Sequence, residues 1–179
     1  MDVLETIRTR RSIKEFAPAP VSKETLLALV DAARYSPSGA NKNSWQFIVV
    51  TERDALVRLS TAHAHCHWLA SAQAAIAILI DHASTRYWLE DCCVAAYSIW
   101  LAAAGQALGV AWAAMYQSDD SGENERRQAL VRETLTIPGK FNVPIVLGVG
   151  YPQNQPPARK MPALNNIIQW GSYVPDSHR

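Results

Sequence analysis

Arg10, Arg11, Ser12 and Lys14 stand within five residues of one another. Two guanidinium groups beside a hydroxyl can grip a phosphate through forked, charge-assisted hydrogen bonds, and a lysine two residues on can set a positive charge beside a second developing anion. The same run is also ordinary surface charge at a helix end. A second segment, residues 36–45, is small and polar. Pro37, Ser38 and Gly39 would let the backbone approach a flat ligand, and Asn41 offers both a donor and an acceptor to the edge of a heterocycle. Plain turn chemistry between a helix and a strand fits it too. Arg159 and Lys160 follow Pro156-Pro157 and either solvate that stretch or return to the phosphate of Arg10. Trp112-Ala113-Ala114 follows Gly109 and could lay strand backbone against an aromatic ligand.

Other groups carry less. His63, His65, Cys66 and His67 imitate a metal cluster, with His63 and His67 one helical turn apart, but no further ligand follows at a zinc-site spacing, so no metal is expected. Cys92-Cys93 point in different directions on a helix and read as small core residues. The chain has no G-x-S-x-G, no G-x-x-x-x-G-K-[ST] and no G-x-G-x-x-G, which leaves serine-hydrolase, P-loop and Rossmann chemistry without support. No protein side chain is marked as an acid, base or nucleophile of its own.

The elements that must position these residues can be read from periodicity and punctuation. A short helix over 3–9 delivers the arginines. Pro18 and Pro20 break it off, and Ser22 is an N-cap for a helix over 23–35 whose apolar face is Leu26, Leu27, Leu29, Val30 and Ala33. A strand over 45–51 and a helix over 54–64 follow, then AAIAILI at 74–80, a strand buried on both faces. A helix over 86–108 closed by Gly109 leads to a strand over 110–116, a charged helix over 123–135 and a strand over 144–150. Strands alternating with helices at these spacings argue an α/β layered fold with helices covering a central sheet. Residues 151–179 hold five of the ten prolines and should run as an extended arm, since proline suits neither a helix interior nor a central strand.

Composition narrows the class. At 179 residues the chain is expected to form a single domain, 1–179. Lys+Arg 17 against Asp+Glu 16 leaves +1, which argues against binding a nucleic acid by phosphate neutralisation. Hydrophobic residues reach 49% and charged ones only 18%, below the roughly 25% usual in soluble domains, so apolar surface must be buried internally or in a partner. Residues 92–115 carry no charge, yet Gln106, Ser98 and two glycines interrupt them and no Lys or Arg anchors either end, so a core helix and strand is preferred to a membrane span. Three cysteines, an odd number, and no signal-peptide pattern at the N-terminus fit a reduced, cytoplasmic protein.

Taken in order, four segments resemble the nitroreductase family of FMN-dependent oxidoreductases: TIRTRRSIKEF at 6–16, ARYSPSGANKNSWQFIVV at 33–50, AAAGQALGVAWAAM at 102–115 and VPIVLGVGYPQNQPPARKMP at 143–162. The resemblance implies a layered α/β (α+β) fold, a central mixed but mainly antiparallel sheet flanked by helices, with the C-terminal arm extended in a homodimer whose two active sites lie at the interface. It implies FMN as cofactor, NADH or NADPH as electron donor, and a small electron acceptor such as a nitroaromatic or a quinone reduced by ping-pong exchange. Arg10, Arg11 and Ser12 would bind the ribityl phosphate and ring edge, and Lys14 the pyrimidine side. Pro37, Ser38, Gly39 and Asn41 would lie against the flavin of the other subunit. Trp112, Ala113 and Ala114 would run near the ring, and Arg159 or Lys160 would reach the phosphate. Two departures bear on acceptor choice: Asn43-Ser44 stands where the family usually has Gln-Pro, and Tyr97-Ser98 where Gln-Asn is frequent. A dehydrogenase, oxidase, dehalogenase or flavin-fragmenting activity, or a non-catalytic flavin-binding protein, would share these features.

Overall fold

Alternation in one strand organises the molecule. In the computed structural model, which describes residues 2–173, β2 (Ala74–Asp81) is buried from Ala74 to Ile80. Ile76, Ile78 and Ile80 point to one face of the sheet, and Ala75, Ala77 and Leu79 to the other, as the two-residue period of a strand requires. β2 is paired on both sides: β1 (Trp45–Val50), β2, β4 (Phe141–Gly150) and β3 (Gly109–Ala114) follow in that order across the sheet. All three pairings are antiparallel, with Ile76 opposite both Val49 and Leu147, and Trp112 opposite Leu147. The parallel component expected of a mixed sheet is a lone bridge, Ser12 to Val110.

The isoleucine face is covered by α2 (Lys23–Arg34), through Leu26, Leu29 and Ala33, and by α4 (Trp88–Gly105), through Cys92, Ala95, Ala96, Ile99, Trp100 and Ala103. α2 begins where the sequence places it, with Ser22 Oγ accepting the Thr25 amide at 3.1 Å. The opposite face is covered by α3 (Arg53–Leu59) and α5 (Ser121–Leu135), with Leu56, Leu59 and Val131 fully buried. Helix α1 (Val3–Thr9) leans on α4 from outside the sheet.

Several boundaries differ from the sequence reading, and those around α3 and α4 bear on the site. α3 stops at Leu59 rather than near 64, and the His-rich stretch winds into turns in which the Cys66 thiol donates to the Ser60 and His63 carbonyls. α4 starts at Trp88 and ends at Gly105, and the left-handed residue after it is Ala107, φ 59°. Gly109 therefore does not cap the helix. It opens β3, and a Cβ there would lie 2.5 Å from Ile13 Cβ. The glycine is needed because residues 12–14 cross the strand at van der Waals distance, with the Ile13 amide donating to the Val110 carbonyl at 3.0 Å. Further along, the Phe16–Pro152 bridge and the Gln153 amide on the Glu15 carbonyl pin the start of the C-terminal arm to the same segment.

Candidate flavin site

The crossing of residues 10–14 over β3 decides what the first motif can do. With Ile13 buried against the strand, Ser12 and Lys14 fall on the open side and are exposed. Arg10 is half-buried, and its guanidinium carbon lies 4.5 Å from the centroid of the Trp100 ring. Its Nε is buried with no hydrogen-bond partner in the chain. A buried charged donor without an acceptor is costly, and a pocket of about 290 Å³ lined by Arg10, Arg11, Ile13, Trp100, Pro152 and Gln155 adjoins it. Trp100 is held by its own Nε1, which donates to the Arg11 carbonyl at 3.3 Å, and its ring lies 6.4 Å from that of Trp112.

Arg11 does a different job from Arg10. Its Nη1 donates to the carbonyls of Arg8, Thr9 and Arg10 at 2.9 to 3.0 Å, closing the C-terminus of α1, and its Nε donates to the Pro157 carbonyl at 3.2 Å. Those donors brace the backbone. Through Pro157 they also bring the arm to the arginines, so that the exposed Arg159 and Lys160 lie two and three residues from the anchor. The three residues taken from β3 divide. Trp112 packs on the α4 side of the sheet, whereas Ala113 is fully buried on the other face and can offer only backbone toward Trp112's side. Ala114 is exposed, and its carbonyl accepts from Arg127 Nη1 at 3.2 Å.

The loop of Pro37, Ser38, Gly39 and Asn41 is built elsewhere. A 3-10 turn over Gly39–Asn41 is followed by a sharp reversal, with Ala40, Asn41 and Asn43 all at positive φ, 49° to 54°. Ser38 Oγ accepts the Asn43 amide at 2.9 Å, Ser36 and Ser98 share a hydroxyl hydrogen bond at 2.7 Å, and Lys42 Nζ donates to the Ser84 carbonyl. Gly39 faces Tyr87 so closely that a Cβ would meet the ring at 2.3 Å. The Gly39 amide donates to Asp91 Oδ1 at 2.9 Å. Asp91 was not marked by the sequence motifs. Its signal was present, since it stands four residues before Ala95 and eight before Ile99 on the buried stripe of α4, while Glu90 points outward.

Within one chain these two groups stay apart. Arg10 packs on Trp100 near the C-terminal end of α4, and Gly39 hangs on Asp91 in its first turn. Nine residues of helix separate the two, roughly 14 Å of rise.

Comparison with known proteins agrees with this architecture. A model described as the nitroreductase family matches residues 7–79. A protein of Methanothermobacter thermautotrophicus with the provisional name NADH dehydrogenase/NAD(P)H nitroreductase is 32% identical over 175 residues, 95% of this chain and 88% of its own length. The chain belongs to the nitroreductase family. Another relative with the same provisional name, from Archaeoglobus fulgidus, is 34% identical over 86% of this chain and 87% of its own. The solved structure of an FMN-dependent nitroreductase from Clostridium difficile superposes with a TM-score of 0.87 at 27% identity, covering 95% of this chain and 99% of that one. Membership identifies the chain as an oxidoreductase with a nitroreductase fold.

The remaining reactive side chains sit outside the site. Burial raises the thiols of Cys92, Cys66 and Cys93 above their ordinary range, so they are poor nucleophiles. Among the described residues no three His, Cys, Asp or Glu side chains are placed to hold a metal ion, and no helix is long and apolar enough to cross a membrane.

Proposed function

We propose that this protein is an FMN-dependent NAD(P)H oxidoreductase that reduces a small electrophile, of the nitroaromatic or quinone class, by ping-pong exchange. The observation that carries the reading is the Arg10 guanidinium, fixed over Trp100 at a pocket rim with a buried Nε that has no acceptor in the chain. A dianionic phosphate would supply what that donor lacks, shared with Ser12 beside it in the chain and with Arg159 or Lys160, which follow the Pro157 carbonyl held by Arg11. FMN, once bound, supplies the hydride chemistry itself.

The chain's own residues bind, orient and polarise. Lys14, exposed on the same open side as Ser12, would set positive charge beside a bound flavin and so favour its reduced, anionic state. Trp112 and the backbone of Ala113 and Ala114 form a wall, stiffened by Trp100 and by three strands of pairing behind it. Pro37, Ser38, Gly39 and Asn41 would complete the pocket from a second copy, because in their own chain they lie at the other end of α4. The homodimer this requires has surface to build on. Val94 and Tyr97 on α4, Val3, Leu4 and Ile7 on α1, and Met161, Leu164, Ile167 and Trp170 on the arm are exposed apolar side chains. The free cysteines suit a reducing compartment such as the cytoplasm.

The test is the visible absorption spectrum of the purified protein, followed by anaerobic addition of NADH or NADPH. Flavin bands that bleach on addition are expected, and a colourless protein that takes up no FMN would overturn the reading. A bound flavin that neither nucleotide reduces would move the protein to another flavin chemistry.

A further inference from the structure

Asp91 makes little sense as a stabilising residue. It is 4% exposed, its Oδ2 is buried without a hydrogen-bond partner, and Oδ1 accepts one bond, from the Gly39 amide. An apolar side chain of similar size on the same stripe of α4 would avoid the cost of desolvating a carboxylate with half its acceptor sites unused. What the acid provides is a fixed point for the loop at 37–43. That loop holds Ala40, Asn41 and Asn43 at left-handed φ, a conformation asparagine tolerates but alanine adopts only when its surroundings impose it. Its internal bonds, between Ser38 and Asn43 and between Asn41 and Ser38, set its shape but not its place on the protein. Lys42 and Tyr87, which also tie it down, are exposed side chains. The buried tie is Asp91, in the first turn of α4.

We propose that Asp91 is a positioning residue: its carboxylate fixes the Gly39 amide, and with it the strained 37–43 loop, in the attitude that receives the flavin. The inference rests on the flavin reading above. It separates from a merely structural role because the two predict opposite patterns. A structural residue loses stability when replaced and leaves ligand affinity of the folded protein unchanged. A positioning residue held at a cost to stability loses affinity while the fold keeps its melting temperature.

The experiment compares full-length wild type, Asp91→Asn and Asp91→Ala. Three quantities are measured: the melting temperature of the apoprotein, the FMN dissociation constant from flavin fluorescence well below that temperature, and the Gly39 amide signal in a ¹H–¹⁵N spectrum. Loss of one charge-assisted hydrogen bond should weaken FMN binding roughly tenfold in Asp91→Ala. Asp91→Asn, which keeps a neutral acceptor, should fall between alanine and wild type. The Gly39 amide should move in Asp91→Ala, and the melting temperature should not drop. Dissociation constants within twofold of wild type in both variants would overturn the proposal, as would an affinity loss matched by a lower melting temperature. Wild type that binds no FMN would instead overturn the flavin reading. The Gly39 amide then decides on Asp91 alone: a shifted signal in Asp91→Ala supports the tie, and an unmoved one refutes it.

Discussion

Replacing Arg10 by alanine separates the two roles the structure gives that side chain. In the chain alone the guanidinium gains a cation–π contact with Trp100, about 0.5–2 kcal/mol, but its buried Nε lacks an acceptor, a cost of about 1–3 kcal/mol. The two effects oppose each other, and on removal their balance runs from a loss of about 1 kcal/mol to a gain of about 2.5, so the melting temperature of the apoprotein should fall by no more than about 2–4 °C. With FMN present they no longer cancel. A phosphate that satisfies the donor contributes roughly 1.5–3 kcal/mol, and its loss should weaken binding by about tenfold to a hundredfold. At an FMN concentration a hundred times the wild-type dissociation constant, binding stabilises wild type by about 2.7 kcal/mol. For a chain of this length that corresponds to a rise of about 5–11 °C. If the dissociation constant rises thirtyfold, the same FMN concentration stabilises Arg10→Ala by only about 0.9 kcal/mol, or about 2–4 °C. Thermal unfolding with and without FMN measures both numbers. An undiminished FMN-dependent shift in the variant would refute the assignment of the phosphate to Arg10, and a collapse of the apoprotein would show that the side chain serves the fold.

Three further outcomes follow from other parts of the structure. Gly109→Ala drives a Cβ into Ile13 and should cost about 1–3 kcal/mol as residues 12–14 lift from β3; the double variant with Ile13→Gly, which removes the opposing Cβ, should lose less than the sum of the two single losses, and additive losses in unfolding titrations would exclude the contact. Burial, Arg127 and His65 depress the His63 imidazole below its ordinary value, against a smaller opposing effect of Glu123. The unfolded chain then takes up that proton first as pH falls below about 6.5, so stability should decline from there until folded His63 is protonated too. His63→Gln should flatten part of this decline, and parallel melting curves from pH 8 to pH 5 would contradict it. Tyr97→Arg, on the exposed side of α4, should weaken self-association roughly tenfold or more and lower flavin content with it; light scattering that shows an unchanged flavin-loaded dimer would refute the interface.

Much of the fold was legible because its signals were local. Ser22 is an N-cap whatever surrounds it, and AAIAILI reads as a doubly buried strand because neither face tolerates a polar residue. What stayed hidden depends on contacts remote in sequence. Gly109 looked like a helix cap because glycine commonly serves as one, and only the passage of Ile13 across the strand shows why it is there. Arg10 and Arg11 are equivalent in a motif, yet one stacks on Trp100 and the other commits Nε and Nη1 to backbone carbonyls. Ala113 was grouped with Trp112 by adjacency, and the alternation of a strand turns its side chain to the opposite core. Asp91 escaped notice because it is one of two adjacent acids, Glu90 and Asp91, at the start of an apolar helix, where acids suit the dipole without being buried, and its burial is fixed by the loop folded over it.

The same helix joins the composition to the proposed chemistry. α4 has an inner stripe, Asp91, Ala95, Ile99 and Ala103, that is buried in the chain, and an outer one, Val94 and Tyr97, that is not. A helix apolar on both sides suits a covered environment, and the proposed second copy would supply the cover. A second copy seated against the outer stripe also removes the geometric difficulty of the site. The loop at Gly39 is tied to α4 roughly 14 Å of helix rise from where Arg10 packs on it. Two antiparallel copies of α4 would set the first turn of one beside the last turn of the other, bringing the Gly39 loop of each chain to the Arg10 pocket of its neighbour. On this geometry the low share of charged residues and the split site have one cause, and a variant that separates the chains must lose both the pairing and the flavin.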